Sequence, residues 1–276
     1  MKNIISQEWL KDNIMKEDLI ILDTRAELNN PNYGLNEYKK GHIKGAQFVP
    51  MEEITTGELR EHGGRHPLPN MNEFIENMKS FGIKDDSTII IYDDGDLAMA
   101  GRLWWILKYS GKHQVYILEG GIKSWVENGM EVTTEIPKVK KSDILTLNLE
   151  PSIEVDIDYV KKAIGNKDVA IIDSRAYERY IGEVEPLDKI PGHIPNALNY
   201  PWMNLVEDGL KSKEELEEYF KTLKGYKEVI VHCGSGITGT VNLMFMEEVG
   251  LKPKFYVGGY SDWVSYEDNE VIKGDK

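Results

Sequence analysis

The chain's one cysteine, Cys233, stands in the stretch VIVHCGSGITGT, residues 229–240. Three β-branched residues lead into it, and glycines and hydroxyls follow. A strand ending in this cysteine, followed by a glycine-rich turn and a helix from about Thr238, can curl backbone N–H groups toward the sulfur as an anion-binding nest. The helix adds the positive end of its dipole. Both effects favour thiolate over thiol, and the glycines permit positive φ and close backbone approach. A structural cysteine normally sits inside an apolar run, not ahead of GSGITGT. Other cysteine chemistries fit poorly. A Cys-x5-Arg phosphate clamp would place its arginine at Gly239, and no arginine follows Arg179. His232 adjoins the cysteine, but on a strand it points to the opposite face and cannot serve as its base. A Cys-x-x-Cys pair is impossible with one cysteine. What remains is a lone thiolate in an anion cradle, which suits a sulfur carrier that takes up a sulfur atom as a persulfide and hands it on.

The elements that must position this turn recur along the chain. LIILDTRAE (19–27) is matched by VAIIDSRAY (169–177), GHIKGA (41–46) by GHIPNA (192–197), TIIIYDD (88–94) by EVIVHCG (228–234), and LEGGIKSW (118–125) by YVGGYSDW (256–263). Four matches in the same order indicate two copies of one domain. Strands are expected at 20–23, 88–93 and 115–118, and at 169–173, 229–232 and 254–256. Helices are expected at 71–81, 97–109, 213–223 and 238–249. Short apolar runs alternating with amphipathic stretches predict an α/β fold, a parallel sheet flanked by helices in each copy. The copies are assigned to 1–134 and 153–276. Residues 135–152, between Pro137 and Pro151, are read as a linker that runs partly extended. The first copy carries Asp93 where the second carries Cys233, so the second is read as catalytic and the first as scaffold.

A chain of 276 residues, 41% hydrophobic and 29% charged, is comfortable for two cores. The formal charge of −14 argues against nucleic acid or an anionic membrane as partner. No run approaches the length of a membrane span, and MKNIISQEWLKDN does not read as a secretory signal. With no disulfide possible, the expected location is cytoplasmic.

The duplicated frame D-x-R, G-H-I-P-x-A, strand–Cys loop–helix and G-G-x-x-x-W resembles the tandem-domain rhodaneses over almost the whole chain. The resemblance implies two rhodanese-like domains, a degenerate first and a catalytic second, and sulfur transfer through a Cys233 persulfide. In this family Cys-Arg-Lys-Gly loops accompany thiosulfate as donor, and Cys-Gly-Ser-Gly-Val-Thr loops accompany 3-mercaptopyruvate. The loop here is similar to the second kind, with Ile237 for valine, and Gly234, Gly236, Ile237 and Thr238 are the implied anion cradle. The resemblance further implies a proton relay of Ser235, His66 in GRHPLP and Glu52 in PMEEI. Mercaptopyruvate carries a thiol proton that such a relay can handle, whereas thiosulfate carries none. Arg179 matches one substrate arginine. A second falls at Leu187 and is absent, leaving Lys189 as a point-charge substitute. The implied partners are a small sulfur donor and a thiol or cyanide acceptor, and a thioredoxin-like reductant is admitted. No cofactor or metal is implied. Two alternatives stay open: thiosulfate:cyanide transfer, and a sulfur-relay carrier loaded by a partner protein.

Other residues receive plainer readings. Asp23 with Arg25 and Asp173 with Arg175 occur in both copies, as do His42 and His193, so these belong to the shared frame. Gly63 and Gly64 argue against a helical metal pair of His62 and His66. Trp104, Trp105, Trp125 and Trp263 are assigned to cores, and Trp202 and Met203 either to a core or to a pocket wall. Glu214, Glu215, Glu217 and Glu218 read as a solvated helix face.

Overall fold

The computed structural model describes residues 1–207 and 209–275. Two compact units emerge. The first comprises Met1–Gly57 and Leu68–Glu150, and the second comprises Glu58–Pro67 and the chain from Pro151 onward. The division differs from the expected boundaries in two places. Residues 135–150 pack with the first unit, where Asp85 donates to Ile144 O, Asn148 to Ser110 O and Glu150 to Tyr109 O. Residues 58–67 leave the first unit and pack with the second. The base of this excursion is tight: a Cβ on Gly57 would come 2.2 Å from Leu68 O.

The first unit contains strands β1 (Ile4–Ile5), β2 (Leu19–Asp23), β3 (His42–Ile43), β4 (Ala46–Phe48), β5 (Thr88–Tyr92), β6 (Val115–Leu118) and β7 (Val132–Thr133). Its helices are α1 (Gln7–Asn13), α2 (Tyr33–Lys40), α3 (Met51–Thr55), α4 (Met71–Ser80), α5 (Ala98–Tyr109) and α6 (Gly121–Glu127). The main sheet is parallel throughout, in the order β1-β6-β5-β2-β4, and β3 pairs with β7 in a small antiparallel ribbon. Parallel sheets are covered on both faces, so the central strands read as continuous apolar runs. Ile89, Ile90 and Ile91 of β5 are fully buried accordingly. Helix α5 is buried around most of its surface, including Trp104 and Trp105, as its apolar sequence AMAGRLWWILKY requires.

The second unit repeats the plan. Strands β8 (Glu154–Val155), β9 (Val169–Asp173), β10 (Ala197–Asn199), β11 (Glu228–His232) and β12 (Lys254–Tyr256) form a parallel sheet in the order β10-β9-β11-β12-β8. The helices are α7 (Ile157–Ala163), α8 (Tyr177–Tyr180), α9 (Lys213–Tyr219), α10 (Gly239–Glu248) and α11 (Gly259–Trp263). Helix α9 starts in a capping box of Ser212 and Glu215. It is shorter than expected because Phe220, fully buried, turns the chain into a separate 3-10 segment, Lys221–Gly225.

The frame residues behave alike in both units. Arg25 and Arg175 each grip the carboxylate two residues earlier, Asp23 and Asp173, at 2.6 Å, and each also donates to a carbonyl, of Gly41 or Gly192. His42 and His193 stack on Tyr38 and Tyr180 with 3.8 Å between centroids and bond the same tyrosines' carbonyls through Nδ1. Trp125 and Trp263 are buried, each donating Nε1 to a carbonyl. These pairs fix the loops at the carboxyl ends of β2 and β9 and explain why both copies keep them. Met203 is 44% exposed, so it is not a core residue.

Candidate active site

Strand β11 delivers Cys233 to the carboxyl end of the second sheet, where ligands of open α/β sheets bind. The thiol is 2% exposed, and its Sγ accepts the Gly236 N–H at 3.2 Å. Gly236 has φ +82°, a conformation that disfavours a side chain. The first turn of α11 pins the loop from outside: Tyr260 N–H donates to Cys233 O and Ser261 N–H to Gly234 O, both at 2.8 Å. Gly259 makes that approach possible, because a Cβ there would lie 2.7 Å from Cys233 O. Ile237 is buried and its carbonyl accepts the Thr240 hydroxyl at 2.6 Å, while Thr238 stands at the N-cap of α10. Of the nest expected from GSGITGT, the Gly236 N–H is the donor seen on the sulfur.

His232 is excluded as the thiol's base. It is fully buried, its Nδ1 lies 3.1 Å from Cys233 O, and its Nε2 stands 4.0 Å from Asp173, too far for a hydrogen bond. Burial lowers its pKa and keeps it neutral. Burial also works against ionisation of Asp173, but the charge of Arg175 and the bonds from it outweigh that and hold the carboxyl at about 2.

The segment Glu58–Pro67 supplies the next group. His66 Nδ1 lies 2.8 Å from Ser235 Oγ, joining residues 169 positions apart. Several contacts seat the segment on the turn at α11. Gly63 N–H donates to Asp262 at 2.7 Å, Arg65 N–H donates to Ser261 Oγ at 3.1 Å, and His62 stacks on Tyr266 at 3.8 Å. Gly64, at φ +80°, leaves no room for a Cβ, which would sit 2.3 Å from Gly258 O. The two glycines thus serve this close docking, and His62 and His66 engage different partners, Ser265 and Ser235. Glu52 stands on α3 of the first unit with its side exposed.

Two guanidinium groups flank the loop. A Cβ built on Gly234 would lie 3.2 Å from Arg65 Nη2 and 3.5 Å from both Nη atoms of Arg179. Arg179 is held by Glu185 at 2.7 Å and Asp188 at 2.9 Å, and the other oxygen of Asp188 takes Nη1 of Arg65. Both acids are almost fully buried. Lys189 is placed differently from the expectation. It is exposed and lines a separate cavity of about 460 Å³ with Glu61, His62, Lys161 and Tyr266. Consecutive residues here face opposite ways, Asp188 inward and Lys189 outward, so the residue two places from the missing arginine is no substitute for it. The cation beside the loop is Arg65, which the sequence reading missed although it adjoins His66 in GRHPLP.

A duplicated parallel α/β domain, with a cysteine cradled at the end of one central strand and guanidinium groups beside it, defines a class of protein that handles sulfur and small anions. The rhodanese-like domain matches the chain twice, at residues 6–128 and 156–266. The chain belongs to the rhodanese family and is a sulfurtransferase. It is 33% identical over 280 residues to a probable 3-mercaptopyruvate sulfurtransferase of Pseudomonas aeruginosa, covering 99% of this chain and 98% of that protein. Identity to the 3-mercaptopyruvate sulfurtransferase of Escherichia coli is also 33%, covering 97% and 96%. A thiosulfate sulfurtransferase of Cricetulus griseus is 31% identical, covering 94% and 91%. Among solved structures, SseA from Escherichia coli superposes with a TM-score of 0.82 at 31% identity, covering 94% of this chain and 99% of that one. Among the described residues, no helix is long and apolar enough to cross a membrane.

Proposed function

We propose that Cys233 is the nucleophile and persulfide carrier, and that 3-mercaptopyruvate is the preferred donor. The observation that carries this reading is the 2.8 Å bond between Ser235 and His66 at the mouth of the cysteine loop. The Cys233 thiolate attacks the donor's sulfur. The carbon–sulfur bond breaks, and its electron pair leaves with the three-carbon fragment as the enolate of pyruvate. The proton first carried by the donor thiol passes through Ser235 to His66 and then to the enolate carbon, giving pyruvate and a Cys233 persulfide. Glu52 is the proposed acid of the relay. An acceptor thiolate or cyanide then takes the outer sulfur and regenerates the Cys233 thiolate. The backbone of Gly234, Gly236, Ile237 and Thr238 cradles the negative charge during both steps, and Arg179 holds the donor's carboxylate. No metal or cofactor enters this scheme.

The first domain is proposed as non-catalytic because Asp93 occupies the nucleophile's position. A free thiol nucleophile suits a reducing compartment, so the proposed location is the cytoplasm, with a thioredoxin-like dithiol among the proposed acceptors. A second reading, thiosulfate as donor, is favoured by the two guanidinium groups beside Gly234, which suit a dianion. Intact mass after brief exposure to each donor separately decides. One added sulfur from mercaptopyruvate but not thiosulfate is expected, absent in Cys233→Ala. Loading from thiosulfate alone would reverse the donor assignment. Loading from neither would leave a carrier charged by a partner protein.

A further inference from the structure

We propose that the first unit holds a binding site of its own for a small apolar α-amino acid, in the cavity between the turn after β2 and helix α6, with Arg25 taking the carboxylate and Asp94 the ammonium. The site lies apart from the cysteine loop and does not rest on the sulfur-transfer reading above.

The two copies of the frame arginine show how the cavity arises. In the second unit the guanidinium of Arg175 is closed in. Asp173 accepts from Nε and Nη2, Gly192 O accepts from Nη2, and Glu185 accepts from Nη1 at 3.1 Å. The Tyr260 ring lies over the guanidinium carbon, 3.7 Å from it to the centroid. In the first unit Arg25 keeps the bonds to Asp23 and Gly41 O, and the other two covers are gone. Tyr260 of YVGGYSDW is matched by Ile122 of LEGGIKSW, which has no ring to lay over the arginine. Glu185 has no counterpart either. The first unit runs α2 directly into Gly41, whereas the second ends α8 at Tyr180 and returns through the loop that carries Glu185. Among the described residues, Arg25 Nη1 is therefore left without a hydrogen-bond partner, on a side chain only 5% exposed.

A cavity of about 500 Å³ opens there, within the range of small-molecule sites, about 300–1,000 Å³. Asp94, which stands where the cysteine loop has Gly234, lines it together with Arg25, yet the two form no ion pair. The Tyr33 hydroxyl donates to Asp94 Oδ1 at 3.1 Å and leaves Oδ2 free among the described residues. Burial raises the pKa of Asp94, against the Tyr33 bond and the Arg25 charge, and an ammonium beside it would favour the ionised form. Ile122 and the exposed Val126 and Val132 supply an apolar wall. An unpartnered guanidinium nitrogen and an unpartnered carboxylate oxygen in one cavity match a zwitterion. A simple anion would meet the repulsion of Asp94, and a simple cation that of Arg25. The apolar wall takes the side chain.

Calorimetric titration of the full chain with L-leucine tests this, beside isocaproate, which lacks the ammonium, and isoamylamine, which lacks the carboxylate. Leucine is expected to bind at least about tenfold more tightly than either, the margin of one charge-assisted hydrogen bond. Asp94→Asn should weaken leucine about tenfold and leave isocaproate no weaker. Ile122→Tyr restores the ring of the second unit and should abolish leucine binding; where that variant folds poorly, Asp94→Asn carries the test. No leucine binding to the wild type, equal affinity for leucine and isocaproate, or leucine binding unchanged in Asp94→Asn overturns the proposal. Loss of leucine binding in Arg179→Gln, with Asp94→Asn unaffected, would place the amino acid at the cysteine loop and overturn it as well. Sulfur transfer does not enter the readout, so failure of the donor assignment leaves this test intact.

Discussion

The turns after β5 and β11 are the same piece of architecture finished in two ways. In the first, YDDGDLAMAG, the Asp93 carboxylate folds back into its own nest and accepts N–H bonds from Gly95 at 2.8 Å, Ala100 at 3.1 Å and Leu97 at 3.3 Å. In the second, the Cys233 sulfur takes one such bond, from Gly236. The strand residue before each also differs. Tyr92 reaches Asp23 at 2.7 Å, whereas His232 stops 4.0 Å short of Asp173. The first loop has satisfied its anion-binding capacity internally. In the second, the guanidinium groups of Arg65 and Arg179 stand beside Gly234, and His66 contacts the Ser235 hydroxyl. A nest of N–H groups is thus a property of the fold, and the side chain at its centre decides whether it is structure or chemistry.

The largest effect should come from converting one loop into the other. Cys233→Asp gives the second nest the occupant of the first. Transfer from either donor is expected to vanish, because the variant has no nucleophile, while the far-UV circular dichroism spectrum stays that of the wild type. Residual transfer would show that Cys233 is not the sulfur carrier.

Ser235 marks the next difference, since the corresponding residue of the first loop is Gly95 and has no hydroxyl. Ser235→Ala removes the bond to His66. Turnover of mercaptopyruvate should drop by about 10²–10³, within the range of general acid–base contributions, and turnover of thiosulfate by less than tenfold. Equal losses measured with the two donors would make the hydroxyl a loop anchor and not a proton relay.

The repeated frame was readable because its physics is local. Strands buried on both faces spell themselves as apolar runs, Asp-x-Arg closes its own ion pair over two residues, and a cysteine before glycines announces a nest. Ser235 and His66 were paired through the family resemblance, and the 2.8 Å contact agrees. The position of Arg65 beside the loop was not readable, because it depends on Glu58–Pro67 leaving the first unit and docking by way of Gly63 and Gly64 on the turn at α11. No local propensity encodes that excursion. Lys189 was misplaced for a related reason: spacing along an irregular segment does not say which side chains turn inward. The buried acids Glu185 and Asp188, in a stretch that reads as polar and exposed, were equally hidden.

The smallest effect expected is on stability and belongs to Asp93. Burial, followed by the nearby charge of Asp96, pushes its carboxyl up to about 7 from an ordinary 3.8, against the opposing pull of the N–H bonds from Ala100, Gly95 and Leu97. The folded state therefore binds this proton more tightly than the unfolded chain does. Between about pH 4 and pH 7 the folded state carries more protons, so this group's contribution to stability is complete at low pH and is lost as pH rises through 7. Asp93→Asn cannot titrate. Its unfolding free energy relative to the wild type should improve by on the order of 2–4 kcal/mol between pH 4 and pH 8, read from denaturant unfolding of both proteins at each pH. Sulfur transfer should change little, as the substitution leaves the second unit untouched. A difference that stays constant with pH would mean that the three N–H bonds hold Asp93 ionised throughout, and that its nest stabilises an anion as fully as the Cys233 nest is proposed to do.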